Sequence, residues 1–250
     1  MVNSLAEGIQ VNAQAGTYDE IIFVPGKFTV PQPLSGPPKI PKTAMRICRI
    51  YVSQRTTVYN GRLNWNIPKH LARFKFSAPP TQAGQSPPKT LDVAVYPPGT
   101  MDGDGVRPFF ACTLQPFTWV PSIPFNANYL PIDKTPALPP LPEAPAQKKA
   151  AAAEVEAGAK NAEQINPYNT SPQHEEALLA GTDKWCTFDF VASAPRLRGC
   201  WVTVHEGVKE GRESVDESDQ YWPRSIQPWA VGAWLEETEL YIGPPVQWKL

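Results

Sequence analysis

The sequence predicts a mainly β domain, an antiparallel barrel or sandwich of short strands. Three observations predict it. Apolar and polar residues alternate over short runs, as in Leu91-Asp92-Val93-Ala94-Val95-Tyr96. Thirty prolines punctuate the 250 residues, and central strands do not tolerate proline, so the strands are short and rigidly joined. Long amphipathic helices and an alternating βαβ pattern do not occur, which disfavours a doubly wound nucleotide fold.

In chain order, Tyr18 to Val24 reads as a strand ended by the turn Pro25-Gly26. Thr29 to Pro41 is proline-rich and extended. Arg46 to Ser53 alternates, with Cys48, Ile50 and Val52 on one face and Thr56 to Tyr59 as a short partner strand. Asn60-Gly61 is a turn signal. Ile67 to Arg73 predicts one helical turn with Pro68 at its first position, and strand resumes at Phe74 to Phe76. Leu91 to Tyr96, Phe109 to Leu114 and Phe117 to Val120 follow as strands. Pro131 to about Gly181 reads as a long surface insertion, partly mobile, within a single domain spanning 1–250. It is proline-rich to Pro145, then rich in Ala, Glu and Lys from Gln147 to Gln164 without an apolar stripe. Strands return at Trp185 to Val191 and Cys200 to His205. Val208 to Asp219 is a charged loop, and half of the eight tryptophans lie from Trp222 onward, where they are expected to pack on the same core.

Composition narrows the function. The formal net charge of -1 argues against nucleic-acid or anionic-membrane partners, which attract a basic surplus. No apolar run approaches the ~18 residues that span a bilayer. Met1 to Gln14 lacks a basic start followed by an apolar block, so no signal peptide is expected. It is also an unusual opening for a domain, which leaves room for a preceding segment. Cys48, Cys112, Cys186 and Cys200 are far apart among strand-like apolar residues. They read as buried reduced thiols, and the expected location is cytoplasmic. Phosphate-cradling glycine motifs and a G-x-S-x-G elbow do not occur. His70, His174 and His205 stand alone, so no metal is expected. Asp102-Gly103-Asp104-Gly105 lacks the downstream Glu of a calcium loop, because position 113 is Thr113, and reads as a polar turn. No cofactor is expected.

The chemistry concentrates in Asn60 to Ala72. An amine attacks carbonyl carbon only when deprotonated, and an ordinary lysine titrates near about 10.4. Three effects would lower that value for Lys69. Trp65, Ile67 and Leu71 would desolvate it. A helix starting at Pro68 would set its positive end against the ammonium. His70 or Arg62 would add like charge. The same residues also have plainer readings. Lys69 would be a solvated surface group, Glu20 an outward strand carboxylate, Arg62 a turn brace bonding carbonyls and Trp65 a core side chain.

Gly61-Arg62 followed by Pro68-Lys69 and Leu71-Ala72 resembles the G-R-E-…-P-K-K-L-A segment of the acetoacetate decarboxylase-like superfamily. Tyr18-Asp19-Glu20 resembles that family's Y-x-E strand, and Phe109 to Pro124 is similar in character to its aromatic, proline-punctuated strand. The resemblance covers roughly Tyr18 to Pro124. It implies a cone-like antiparallel β-barrel around an apolar pocket, with few short helices, in a homo-oligomer. It implies Schiff-base catalysis with Lys69 as the amine and Glu20 as the acidic residue; Arg62, whose guanidinium offers a bidentate fork, is a candidate carboxylate anchor, and Trp65 a candidate substrate platform. Activation of the lysine by desolvation or a neighbouring cation is the established device of acetoacetate decarboxylase itself. Two departures matter. His70 replaces the second lysine and would serve as a proton shuttle; Leu63 replaces the Glu, removing a carboxylate. The implied function is a Schiff-base lyase acting on a β-keto acid or related carbonyl compound. The alternatives are aldol, dehydration or cyclisation chemistry on the same fold in secondary metabolism, or a small-molecule-binding domain without the chemistry.

Overall fold

The computed structural model describes residues 17–33, 40–131, 133–142, 166–170, 179–205, 221 and 229–250. The Gln147–Gln164 stretch, His174, the Val208–Asp219 loop and Trp222 lie outside them. The chain is mainly β with one α-helix among the described residues, as the alternation predicts. The first half contains β1 (Glu20–Phe23), β2 (Lys27–Thr29), β3 (Thr43–Met45), β4 (Arg49–Val52), α1 (Arg55–Trp65), β5 (Lys69–Leu71), β6 (Arg73–Phe76), β7 (Leu91–Tyr96), β8 (Phe110–Pro116) and β9 (Ile123–Asn126). The second half contains β10 (Ala137–Leu138), β11 (Trp185–Thr187), β12 (Phe190–Val204), β13 (Val231–Glu236), β14 (Glu239–Ile242) and β15 (Val246–Trp248).

The pairing forms four sheets rather than one closed barrel. The largest runs β13-β12-β8-β7-β6, with β14 and β9 also paired to the long strand β12. A small sheet runs β1-β4-β5, and β10-β11-β15 and β2-β3 complete the set. Among the described residues β6 and β13 each pair with one neighbour, so the large sheet keeps two edges and does not close. Ala72 alone separates β5 of the small sheet from β6 of the large one, and its N–H still bonds the carbonyl of Val52.

The main departure from the sequence reading lies at 55–71. β4 and β5 are parallel, and a parallel pair needs a crossover rather than a hairpin. Helix α1 is that crossover. It takes in Thr56 to Tyr59, read as a strand, and Asn60-Gly61, read as a turn. The Thr-Thr-Val run and Gly61 are poor helix formers, so tertiary burial decides the outcome. Thr57, Val58, Gly61 and Arg62 are buried along one stripe, at the i, i+1, i+4, i+5 spacing of a helix face. The Gln54 side chain caps the start by accepting from the Thr57 N–H at 3.1 Å. Asn66, left-handed at φ 53°, closes the end. The helical turn predicted at Pro68 is instead strand β5, and Phe117 to Val120 is a turn beyond β8.

Strand alternation splits the small sheet's side chains between two cores. Ile50, Val52 and Leu71 meet Val58 and Ile67 on the α1 side, together with Leu138, Cys186 and Phe188. Ile21 and Tyr51 face the other way, into a core with Leu91, Val95, Phe110, Cys112 and Trp234 of the large sheet. Trp248 belongs to a third cluster with Val30, Ala44 and Ala137, and Trp229 is exposed, so the tryptophan-rich tail does not share one core. Ala137 and Leu138, inside the span read as an insertion, are fully buried. All four cysteines are free, with Cys112, Cys186 and Cys200 buried. Burial pushes the thiols of Cys112 and Cys186 up to about 12, which leaves them unreactive. No helix among the described residues is long and apolar enough to cross a membrane.

Candidate active site

Lys69 stands in the three-residue strand β5, in register with Ile50. Glu20 opens β1, in register with Val52. Because β1, β4 and β5 share one sheet, alternation turns both side chains to the α1 face. There the Lys69 Nζ donates to Glu20 Oε2 at 2.8 Å and to Thr57 Oγ1 at 2.8 Å. It lies 5.2 Å from the centre of the Tyr18 ring. The side chains of Lys69 and Glu20 are each only 8% exposed.

Helix α1 shapes the slot. The Lys69 stem crosses it at Gly61, where an added Cβ would come within 2.9 Å of Lys69 Cδ and 3.1 Å of Cε. One turn earlier Thr57 meets the ammonium. Arg62, buried, donates from Nη1 to the Lys69 carbonyl at 3.3 Å and from Nε to the Ala180 carbonyl at 3.2 Å. The Ile67 N–H bonds the Gly61 carbonyl. The Gly-Arg and Pro-Lys pairs thus have a physical reason to occur together. The glycine admits the lysine stem and the arginine holds the lysine's backbone.

Burial is the largest influence on Lys69 and pushes its pKa down; Glu20 and Tyr18 together outweigh it, and the net direction is up from 10.5. The lysine rests as an ammonium. This overturns the expectation of a depressed value. No helix starts at Pro68, so no dipole opposes the charge. Residue 70 follows residue 69 in a strand, so the His70 ring turns to the opposite face. It sits 6.1 Å from the Tyr51 ring, on the side of the large sheet. His70 is therefore not placed to shuttle protons at Nζ or to add charge there. Leu63 is exposed on α1, so the carboxylate it replaces would not have faced this site.

Arg62 adopts the carbonyl-bonding role, and both of these bonds brace backbone. Trp65 is half-buried against the α1-side core, with its Nε1 donating to the Gly243 carbonyl at 3.1 Å. Asp19 is half-buried, and burial pushes its carboxyl up against the lowering by Ser53, for a net rise. His205 is exposed, with Nε2 2.8 Å from the Thr113 hydroxyl. Asp104 accepts from the Met101 and Val106 N–H groups, as a polar turn does. Thr57 escaped the sequence reading because the segment carrying it read as a strand. Its signal was the i, i+4 spacing to Gly61, legible only once the segment is known to be helical.

No protein-family model matches the chain, and no curated protein matches it. Two solved structures are similar to it, "Enduracididine biosynthesis enzyme MppR complexed with pyruvate" and the same enzyme "complexed with the condensation product of pyruvate and imidazole 4-carboxaldehyde". Each is 11% identical over 93% of this chain, with TM-scores of 0.40 and 0.41. The chain spans 65% and 64% of their lengths.

Proposed function

We propose that this protein is an enzyme that forms a Schiff base between Lys69 and a small carbonyl substrate, in the class of keto-acid lyases. The observation that carries the reading is the enclosed Lys69 amine bonded at 2.8 Å to both Glu20 and Thr57. The Glu20 carboxylate is the base in hydrogen-bond contact with the ammonium; the pair rests ionised, and attack on the carbonyl draws the proton transfer forward. Glu20 takes a proton from Nζ, and the freed lone pair attacks the substrate carbonyl carbon. Loss of water leaves a protonated imine, an electron sink. From it a β-carboxylate leaves as carbon dioxide, or a carbon nucleophile forms for aldol-type bond making. The resemblance to acetoacetate decarboxylase-like enzymes at Gly61-Arg62 and Pro68-Lys69 supports the same reading.

The test is borohydride trapping across keto acids and diketones, read by intact mass and peptide map. A reduced adduct on Lys69 is expected. Its absence in a folded Lys69→Met, Glu20→Gln double variant, which removes the buried pair together, is the control. No adduct across the panel sinks the enzymatic reading. It would leave a binding domain, the reading favoured by the resting ammonium of Lys69.

Gly61→Ala gives a second expected outcome. Alanine improves helix propensity by about 1 kcal/mol, while overpacking against the Lys69 stem costs about 1–3 kcal/mol. Denaturant titration should show a net loss of about 0–2 kcal/mol. The amine must move, and a displacement of about 1 Å costs on the order of a hundredfold in rate. Trapping at the wild-type rate would show that the stem does not need this glycine.

A further inference from the structure

Imine formation has a fixed proton balance. An ammonium carries three N–H protons. Lys–NH3+ and a carbonyl compound yield Lys–NH+=C and water, so two protons leave with the substrate oxygen and one stays on nitrogen. The positive charge is conserved. The two strongly placed acceptors at Nζ differ in basicity. A carboxylate is basic enough to take a proton in passing, whereas an aliphatic hydroxyl accepts a hydrogen bond but not the proton. Glu20 is therefore suited to carry the two protons that depart, taking each from Nζ and handing it to the substrate oxygen. That returns Glu20 to its starting state.

We infer that Thr57 is a catalytic residue of the Lys69 site, whose hydroxyl oxygen holds the one N–H that nitrogen retains from ammonium through to protonated imine. This rests on the Schiff-base reading and adds a division of labour to it. The geometry suits the task. Thr57 is buried, and its own N–H is held by the Gln54 side chain at 3.1 Å, so the hydroxyl is carried on a capped helix turn. Gln54 is itself 2% exposed. A retained hydrogen bond also fixes rotation about Cε–Nζ, aiming the lone pair at the carbonyl carbon and keeping the imine in one plane.

The experiment compares wild type with Thr57→Val, Thr57→Ala and Thr57→Ser. Two quantities are read. One is the titration of Lys69 Nζ by side-chain nitrogen NMR, which needs no substrate. The other is the pH profile of borohydride trapping with acetone, whose protonated imine on Lys69 is reducible. Removing an acceptor from a buried ammonium leaves burial less opposed. Val and Ala should lower the Lys69 midpoint by roughly one pH unit and shift the trapping profile the same way. They should also slow the maximal trapping rate at least about tenfold. Serine should restore both. A purely structural threonine would change stability but neither midpoint. Alanine adds no buried branch, so it keeps the comparison open if the valine variant fails to fold. Wild-type trapping with unchanged midpoints and rates in the folded variants overturns the role of Thr57 and leaves the Schiff-base reading standing. A wild-type protein that traps no carbonyl overturns both.

Discussion

Glu20→Gln is expected to destabilise the fold by about 3 kcal/mol at neutral pH, because it strands a buried ammonium. The substitution keeps shape and one acceptor, so the loss is chiefly the counter-charge. Its signature is the direction of the pH dependence. In the wild type Lys69 is shifted up from 10.5. A raised lysine contributes stability that is complete below its unfolded value and is lost as pH climbs through the folded one. The wild-type contribution is thus flat below about 10.5 and declines above it. Without Glu20, burial prevails and the folded value drops below 10.5. The unfolded chain then binds more protons across that interval, so variant stability rises with pH until the unfolded lysine titrates. Urea titrations at several pH values between 7 and 11 would show the gap between the two proteins narrowing toward pH 10.5. A gap that is small at pH 7, or that runs parallel across the range, would mean that Lys69 is not held as a buried ammonium by Glu20.

The sequence made the mainly β class legible through alternation, and β7 and β8 lie close to where Leu91–Tyr96 and Phe109–Leu114 predict them. Lys69 and Glu20 were legible as a pair only through the resemblance. Forty-nine positions separate them, and no local pattern reports that β1 and β5 flank β4. Helix α1 was not legible because its Thr-Thr-Val run and Gly61 are poor helix formers and its buried stripe carries one aliphatic side chain, Val58, beside Thr57, Gly61 and Arg62. A periodicity scan counts such residues as polar. That one error carried the others with it. Reading 56–59 as a strand and 67–73 as one helical turn made Lys69 and His70 neighbours on a turn. As a strand, residues 69 and 70 face opposite sheets, and the departure with the largest expected effect on the lysine's charge becomes irrelevant to it. Closure of the barrel was implied by the resemblance, and the strand pairing does not supply it.

A second buried carboxylate predicts a contrasting result. Arg196 and Arg198 stand two apart on β12 and so share a face. Glu236, the register partner of Arg196 on β13, is 3% exposed and answers both. Its Oε2 lies 2.7 Å from Arg196 Nε and its Oε1 3.3 Å from Arg198 Nε. Neither contact is aligned as a hydrogen bond, so Glu236 acts mainly through its charge. Arg196 also pairs with the more exposed Glu237, whereas Arg198, with its side chain 11% exposed, depends on Glu236. Glu236→Gln should therefore cost about 3 kcal/mol, an amount similar to Glu20→Gln. The pH dependence must differ. Guanidinium does not lose its proton in proteins, so raising the pH offers no neutral form to bury. The Glu236→Gln gap to wild type should stay constant from pH 7 to 10.5, where the Glu20→Gln gap shrinks. Urea titration of both variants in one buffer series makes each the control for the other. A Glu236→Gln gap that closes at alkaline pH would mean that the cost arises from a titrating group other than these arginines. A gap under about 1 kcal/mol would place the pair among solvated surface bridges.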